Sequence, residues 1–487
     1  MDIYITAVII YVLVLSAVGI YKSRSVKTQD DFMVAGRKTK TTFLVATLVC
    51  TWVGSGSLFG GAGLAFREGF SMLWFSAGAW VGILIVYFIA HRVRRIAQYT
   101  ISDILEKRYN AAARLLGTSA VIIAYLTIAG YQFRGGGRLL NILIGLDPVV
   151  GAAWTCGFVI LFTVVAGMVS IISIDLFNGI MMTVAVIVAV PLAFIAVGGS
   201  SQFETLPSDH LAVFGGNDLI WVLGIFFPTF FLLLGESSMY QKIFSAKDES
   251  AARKAVIGMI VGVVFVETML ATLSVIGSSK YLTLAPFLGE NGVLDSAHTE
   301  TILLYLARYD LPTVAGMVML CGAVAIILST ANTFLMVPST NVARDIYQRF
   351  INPSVSETRI VLFQRVAIIV LGITAFVVAN FFQTILEMAF TAYAMVGAGI
   401  TPALLAAFLW KRVTVAGGVC SIAAGMGVTL VITIANFILQ EPLIETSYII
   451  LPAAGTSILS LILVSLLTSP SPEEKWKLFM ETAAGRV

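Results

Sequence analysis

Charge is what this sequence has least of. Lysine, arginine, aspartate and glutamate make up 12% of its 487 residues, whereas 58% are hydrophobic. That is too little charge to cover the surface of a water-soluble domain of this length, so a soluble globular fold is excluded. Histidine is rarer still. His91, His210 and His298 fall at the edges of apolar stretches or outside them, which argues against a histidine proton relay. The four cysteines, Cys50, Cys156, Cys321 and Cys420, are widely spaced within apolar stretches and form no metal-type pair. They read as buried free thiols. No Walker-type glycine loop and no long polar linker occurs, so no nucleotide-binding, kinase or redox module is expected. No basic, aromatic-interleaved patch offers itself to nucleic acid.

What the chain does have is apolar runs of membrane-crossing length. Thirteen are expected to span: Ile3 to Tyr21, Thr42 to Leu64, Phe70 to Ala90, Ala120 to Leu140, Val149 to Gly167, Leu176 to Val197, Leu219 to Phe244, Ala255 to Gly277, Val314 to Met336, Ile360 to Ala379, Ile385 to Trp410, Val415 to Asn436 and Tyr448 to Leu467. The first lacks a basic leader and a small-residue cleavage site, and so reads as a span rather than a signal peptide. The fold class expected is an all-α polytopic membrane protein. Residues 1–467 are read as a single membrane domain, and 468–487 as a short cytoplasmic tail.

Basic residues set the orientation. With the N-terminus outside and the C-terminus cytoplasmic, the inner segments (22–41, 91–114, 235–255, 337–359, 411–412 and 468–487) hold 24 of the 30 lysines and arginines. Arg67, Arg134, Arg138, Lys280 and Arg308 lie outside or in outer halves, and Arg365 lies within a span. The small positive net charge therefore follows the positive-inside pattern. It places the chain in a plasma (inner) membrane.

Two spans look interrupted. The second contains "TWVGSGSLFGGAG", with Gly54, Gly56, Gly60, Gly61 and Gly63. Each glycine weakens a helix by about 1 kcal/mol relative to alanine. The seventh contains Pro228 and then "LGESS" at Leu234 to Ser238. Bare backbone at membrane depth is tolerated only around a cavity or ion site. Interruptions in corresponding spans of two halves point to an inverted-repeat transporter, with spans 2–6 and 7–11 as the halves. Close helix packing is the other reading of the glycines.

Four segments together resemble the sodium/solute symporter family. They are "DDFMVAGRK" (Asp30 to Lys38), "YTISDILEKRYN" (Tyr99 to Asn110), "GMVSIISIDLFNGI" (Gly167 to Ile180) and "ILSTANTFLMVPSTNVARDIYQRF" (Ile327 to Phe350). The resemblance covers nearly the whole chain. It implies a LeuT-like fold of two inverted five-helix repeats, and Na+ as the coupling ion. It also implies a sodium site of the Thr51 and Gly54 carbonyls, the Ile326 carbonyl and the Ser329 and Thr330 hydroxyls. The same two hydroxyls read equally as back-bonded to carbonyls one turn earlier. Some family members hold a second sodium, and the matching positions here are Asp175, Asn332 and Thr333. Asp175 reads alternatively as an inner helix cap.

The resemblance places the solute beside the two breaks, with Trp52, Ser55, Ser57, Tyr131, Gln132 and Glu236 as the substrate-binding candidates. Phe59, Trp74, Trp80 and Thr229 lie nearby. "TWVGSG" is similar to the choline-transporter branch, in which aromatic side chains cage an ammonium by cation–π attraction. Trp52 and Tyr131 fall at or near cage positions, while a third holds Glu236. Aromatic groups plus a carboxylate suit a protonated amine or a zwitterion. Glu236 reads otherwise as the cap of a half-helix opening at "GESS", and Trp52 as packing. Val53 stands where the proline branch has an aspartate, and the galactose-binding polar set is unmatched, so a sugar and an exact proline-carrier equivalence are disfavoured. Arg134 is read as snorkelling outward or as a fork for a substrate carboxylate. Glu267 and Glu387 are expected to pair with a neighbour or to lie in a hydrated gap.

The function expected is therefore sodium-coupled import of a small organic solute by alternating access, in a lipid bilayer and without an obligatory protein partner. A carboxylate- or vitamin-type symporter is the alternative, and a passive channel the remoter one. A membrane enzyme would need a converging acid–base or nucleophile set, and none is visible.

Overall fold

The computed structural model describes residues 2–96, 98–439 and 442–480. Every regular element among them is helical, and the isolated bridges Thr39–Ala246 and Leu288–Leu294 are their only strand-like pairings. The patterning is inverted relative to a soluble protein. Leu13, Phe88, Leu161, Ile195 and Val261 are each more than three-fifths exposed, while Thr47, Ser55, Gln132, Asp175, Asn178 and Lys242 are fully buried. Lipid solvates the apolar exterior, and the interior satisfies the polar groups.

Eleven helices among the described residues are long and apolar enough to cross a membrane, rather than thirteen. The difference lies in two joined stretches, Gly56–Ile96 and Pro148–Ala196, of 41 and 49 residues. At 1.5 Å per residue these run to about 60 and 75 Å, twice the roughly 30 Å hydrocarbon core. Both are bent by glycine. Gly69 has φ +66°, and Gly167 has φ +63° and ψ 173°. A Cβ at Gly167 would stand 2.8 Å from the Phe32 ring. The sixth span consequently begins at Gly167 rather than Leu176, and Asp175 sits two turns inside a continuous helix. It is not a cap.

Both expected interruptions are present. The helix Thr41–Trp52 ends at Val53, whose backbone is extended (φ −76°, ψ 96°), and the chain resumes at Gly56 in a wide turn leading into Ala62–Glu68. The helix Leu219–Gly235 ends at Glu236, also extended (φ −71°, ψ 104°), and Ser237–Ser245 follows. Pro228 lies inside the first of these helices and does not make the break.

The ninth and eleventh spans form the centre. The most apolar windows of Thr313–Ile351 and Ile385–Leu409 are 83% and 89% buried, against 17% for Ile3–Ser23. Within the expected tail, Glu473–Met480 is a helix docked on the bundle. Phe479 packs on Phe408, and Lys475 Nζ donates to the Tyr109 carbonyl at 3.0 Å. Residues 481–487 of that tail lie outside the described residues.

Candidate functional site

The break in the second span lies against the ninth. Thr330 Oγ1 is 3.1 Å from the Cys50 carbonyl, 3.3 Å from that of Val53 and 2.9 Å from that of Ile326. A hydroxyl has one proton, so it can satisfy only one of these oxygens. The cluster has a surplus of lone pairs, and a small hard cation fits that demand. Gly54 allows the approach, because a Cβ there would meet Thr330 Cγ2 at 2.8 Å and Gln132 Nε2 at 2.9 Å.

The Thr330 hydroxyl meets the second span one residue before the expected carbonyls. The second-span carbonyls facing Thr330 are those of Cys50 and Val53, not Thr51 and Gly54. The Gly54 carbonyl is taken by the amides of Ser57 and Leu58, at 3.1 and 2.9 Å, which open the next helix. Ile326 and Thr330 stand where expected. Ser329 turns away and donates to Asp175 Oδ1 at 2.5 Å.

Asp175 is the hub of a second polar cluster. Thr47 Oγ1 donates to its Oδ2 at 2.5 Å. Beside it lies the fully buried ammonium of Lys242, from the inner half of the seventh span. Lys242 Nζ is 3.4 Å from Asp175 Oδ2, 3.1 Å from Thr333 Oγ1 and 3.2 Å from the Thr47 carbonyl, and it also contacts Thr51 Oγ1. Asp175 and Thr333 thus come together, but around a lysine. Asn332 does not join them. Its Oδ1 accepts from Thr163 Oγ1 at 3.0 Å on the fifth span.

Glu236 is a cap. Its carboxylate accepts from the amides of Ser238 and Met239, at 3.2 and 2.6 Å, and from the hydroxyls of Ser238 and Tyr125. The freed helix N-terminus needs that negative charge.

The carboxylate beside the aromatics is instead Glu267, 2% exposed on the eighth span. Trp52 Nε1 and Ser57 Oγ donate to its Oε1 at 3.0 and 3.1 Å, and Trp80 Nε1 donates to its Oε2 at 2.9 Å. Among the described residues no basic side chain pairs with it. On the other side of the same turn, Gly56 lies against the hydroxyls of Tyr393 and Tyr131. Phe75 meets Phe390 edge-on at 5.7 Å and Tyr393 at 6.2 Å. Consecutive residues Gly56 and Ser57 therefore touch an aromatic group and a carboxylate. Gln132 supports the break, since its Oε1 accepts the Ser55 amide at 2.9 Å. Ser55 Oγ and Gln132 Nε2 are buried without a partner.

Other intramembrane charges are structural. Arg134 neither snorkels nor stays free for a substrate. Its guanidinium donates to the carbonyls of Ala379, Phe382 and Gln383 at the end of the tenth span, where a helix C-terminus favours a cation. Arg138 pairs with Glu300, whose carboxylate also accepts the Ile385 and Leu386 amides at 3.1 and 2.8 Å. Glu387 Oε2 accepts the Gln383 amide at 3.0 Å beside the Thr384 cap. All four thiols are free, but Cys420 is exposed rather than buried.

The model of the sodium:solute symporter family matches residues 32–425. The chain belongs to that family. Membership makes it a secondary transporter rather than an enzyme, with sodium as the coupling ion. Similar proteins include two from Bacillus subtilis (strain 168). The osmoregulated proline transporter OpuE is 23% identical over 96% of each chain, and the high-affinity proline transporter PutP is 26% identical over 93% of this chain and 95% of its own. Among solved structures, a Na+-coupled sialic acid symporter in a substrate-bound outward-open state superposes with a TM-score of 0.80 at 15% identity. That match covers 97% of this chain and 99% of the other. MhsT in complex with L-phenylalanine gives 0.54 over 88% and 98%. These structural likenesses establish the fold.

Sequence reasoning missed Lys242, Tyr393, Phe75 and Phe390, and left Glu267 unassigned. Lys242 was countable only as one more basic residue of an inner segment. Tyr393 had a signal, a lone hydroxylated aromatic in the small-residue run "TAYAMVGAG" (Thr391 to Gly399).

Proposed function

We propose that this symporter imports a small zwitterion or protonated amine, with one sodium held by the carbonyls of Cys50, Val53 and Ile326 and the Thr330 hydroxyl. The observation that carries the sodium site is the surplus of acceptors around Thr330 Oγ1. The solute sits at the turn Gly56–Ser57. Its ammonium is drawn to Glu267 and to the faces of Trp52 and Trp80, and its apolar part lies among Tyr131, Tyr393, Phe75 and Phe390. The proline named in two relatives is a zwitterion of this size. A carboxylate-only solute finds no free cation here, because Arg134 and Arg138 are both engaged. The distribution of basic residues supports an outward N-terminus.

Coupling follows from the chain's continuity. Val53 and Gly56 are three residues apart, so ordering the carbonyls around sodium orders the turn that meets the solute. Solute must tighten sodium by the same factor. Voltage then drives inward movement at about 2.3 kcal/mol per charge per 100 mV.

The test is thermal unfolding of the purified protein against amines, zwitterionic amino acids and carboxylates, in NaCl and in KCl. An amine or zwitterion that stabilises only in NaCl is the expected result. That compound should then accumulate uphill in vesicles under a sodium gradient, which a channel does not achieve. Replacing both Ser329 and Thr330 by alanine should abolish sodium stimulation. Uptake that remains fully sodium-dependent in the double variant would refute the site.

A further inference from the structure

We infer that the Lys242 ammonium is a built-in cation, occupying the position that Asp175 and Thr333 would otherwise offer to a second free sodium. The inference deepens the sodium-coupled reading and rests on it.

Protons and acceptors can be counted in both clusters. Around Thr330 there are three carbonyls and one hydroxyl proton. Around Asp175 the count differs. Thr51 Oγ1 donates to the Thr47 carbonyl at 2.6 Å, and the Thr47 and Ser329 hydroxyls donate to Asp175. The protons of these three hydroxyls are thereby used, and Thr333 contributes a fourth hydroxyl as an acceptor. Four oxygens still converge on one point: the Thr47 carbonyl, Thr51 Oγ1, Thr333 Oγ1 and Asp175 Oδ2. They come from the second, sixth and ninth spans, the signature of a cation cage. The seventh span fills it with a primary ammonium, which has three protons and no acceptor. Lys242 and Asp175 are both fully buried, so each charge needs the other. The first cluster is short of positive charge, whereas the second carries its own on a tether.

A tethered ammonium cannot leave with the solute. Sodium therefore binds with a stoichiometry of one, and removing the ammonium should open a second place.

The experiment is equilibrium binding of radiolabelled sodium to the purified full-length protein, with no solute present. The wild type should bind one sodium per chain, and Thr330→Ala should abolish it. Lys242→Met should bind two, with a Hill coefficient above one. The double variant Lys242→Met/Asp175→Asn, which removes both buried charges, should return to one. Asp175→Asn alone should keep one, which gives a reading even if Lys242→Met does not fold. A wild type that binds two sodium ions, a Lys242→Met protein that still binds one, or an Asp175→Asn protein that loses its sodium overturns the inference. The two readings fail separately. A wild type that binds none, beside a Lys242→Met protein that gains one at Asp175, removes the sodium site at the break and upholds the lysine. A wild type with one Thr330-dependent sodium, beside an unchanged Lys242→Met protein, does the reverse.

Discussion

Glu267 separates affinity from stability at the level of a single residue. Its carboxylate is desolvated and held by three neutral donors. Burying a charge without a counter-charge is costly, so Glu267→Gln should hold or raise the melting temperature. It should also weaken uptake of an amine or zwitterion. A hydrogen bond to a charged group contributes about 1.5–3 kcal/mol, so KM should rise roughly ten- to a hundredfold. Initial-rate uptake and thermal unfolding measured on the same preparation check both halves. A lower melting temperature with unchanged KM would mean that the carboxylate only ties three helices together. Residues of this kind were the hardest to read from the sequence. The three donors to Glu267 lie 215, 210 and 187 positions away, so no local pattern marks it. Glu236 has its partners within three residues, apart from Tyr125, and its capping role was one of the two readings that "GESS" allowed. Lys242 misled for a related reason. A basic residue near the inner end of a span ordinarily reaches for the surface, and only the fold brings acceptors from three other spans around it.

Elements were read better than residues, because helix breakers act locally. The glycine run and "LGESS" mark the two interruptions where they occur, at Val53 and Glu236. The carbonyls that face Thr330, those of Cys50 and Val53, lie one residue before Thr51 and Gly54, and their contacts to Thr330 come from a span distant in sequence. The start of the sixth span was placed too late because glycine bends the chain there without a polar loop. Gly167→Ala tests that hinge. Its φ and ψ fall in a region open essentially to glycine, at a penalty of about 1–3 kcal/mol, and the new methyl would press on Phe32. The expected result is a lower melting temperature. Unchanged melting would show that the bend is relaxed at no cost.

At the scale of the whole molecule, the orientation is an expectation that rests on a sum rather than on any one contact. Basic residues concentrate in alternate connections, and the outer connections carry short helices such as Ile302–Tyr309, whose Leu303, Leu304 and Leu306 are buried. The expected sidedness can be measured. In a Cys420→Ser background, a membrane-impermeant maleimide added to intact cells should label Ser201→Cys and leave Ser354→Cys untouched until the membrane is opened. The reverse pattern would invert the topology. Fixing a positive charge in the wall also limits how steep a solute gradient the carrier can maintain. With one mobile sodium per turnover and a zwitterionic solute, the voltage at 100 mV would contribute roughly fiftyfold to accumulation, from about 2.3 kcal/mol. The external-to-internal salt ratio then enters to the first power and not squared.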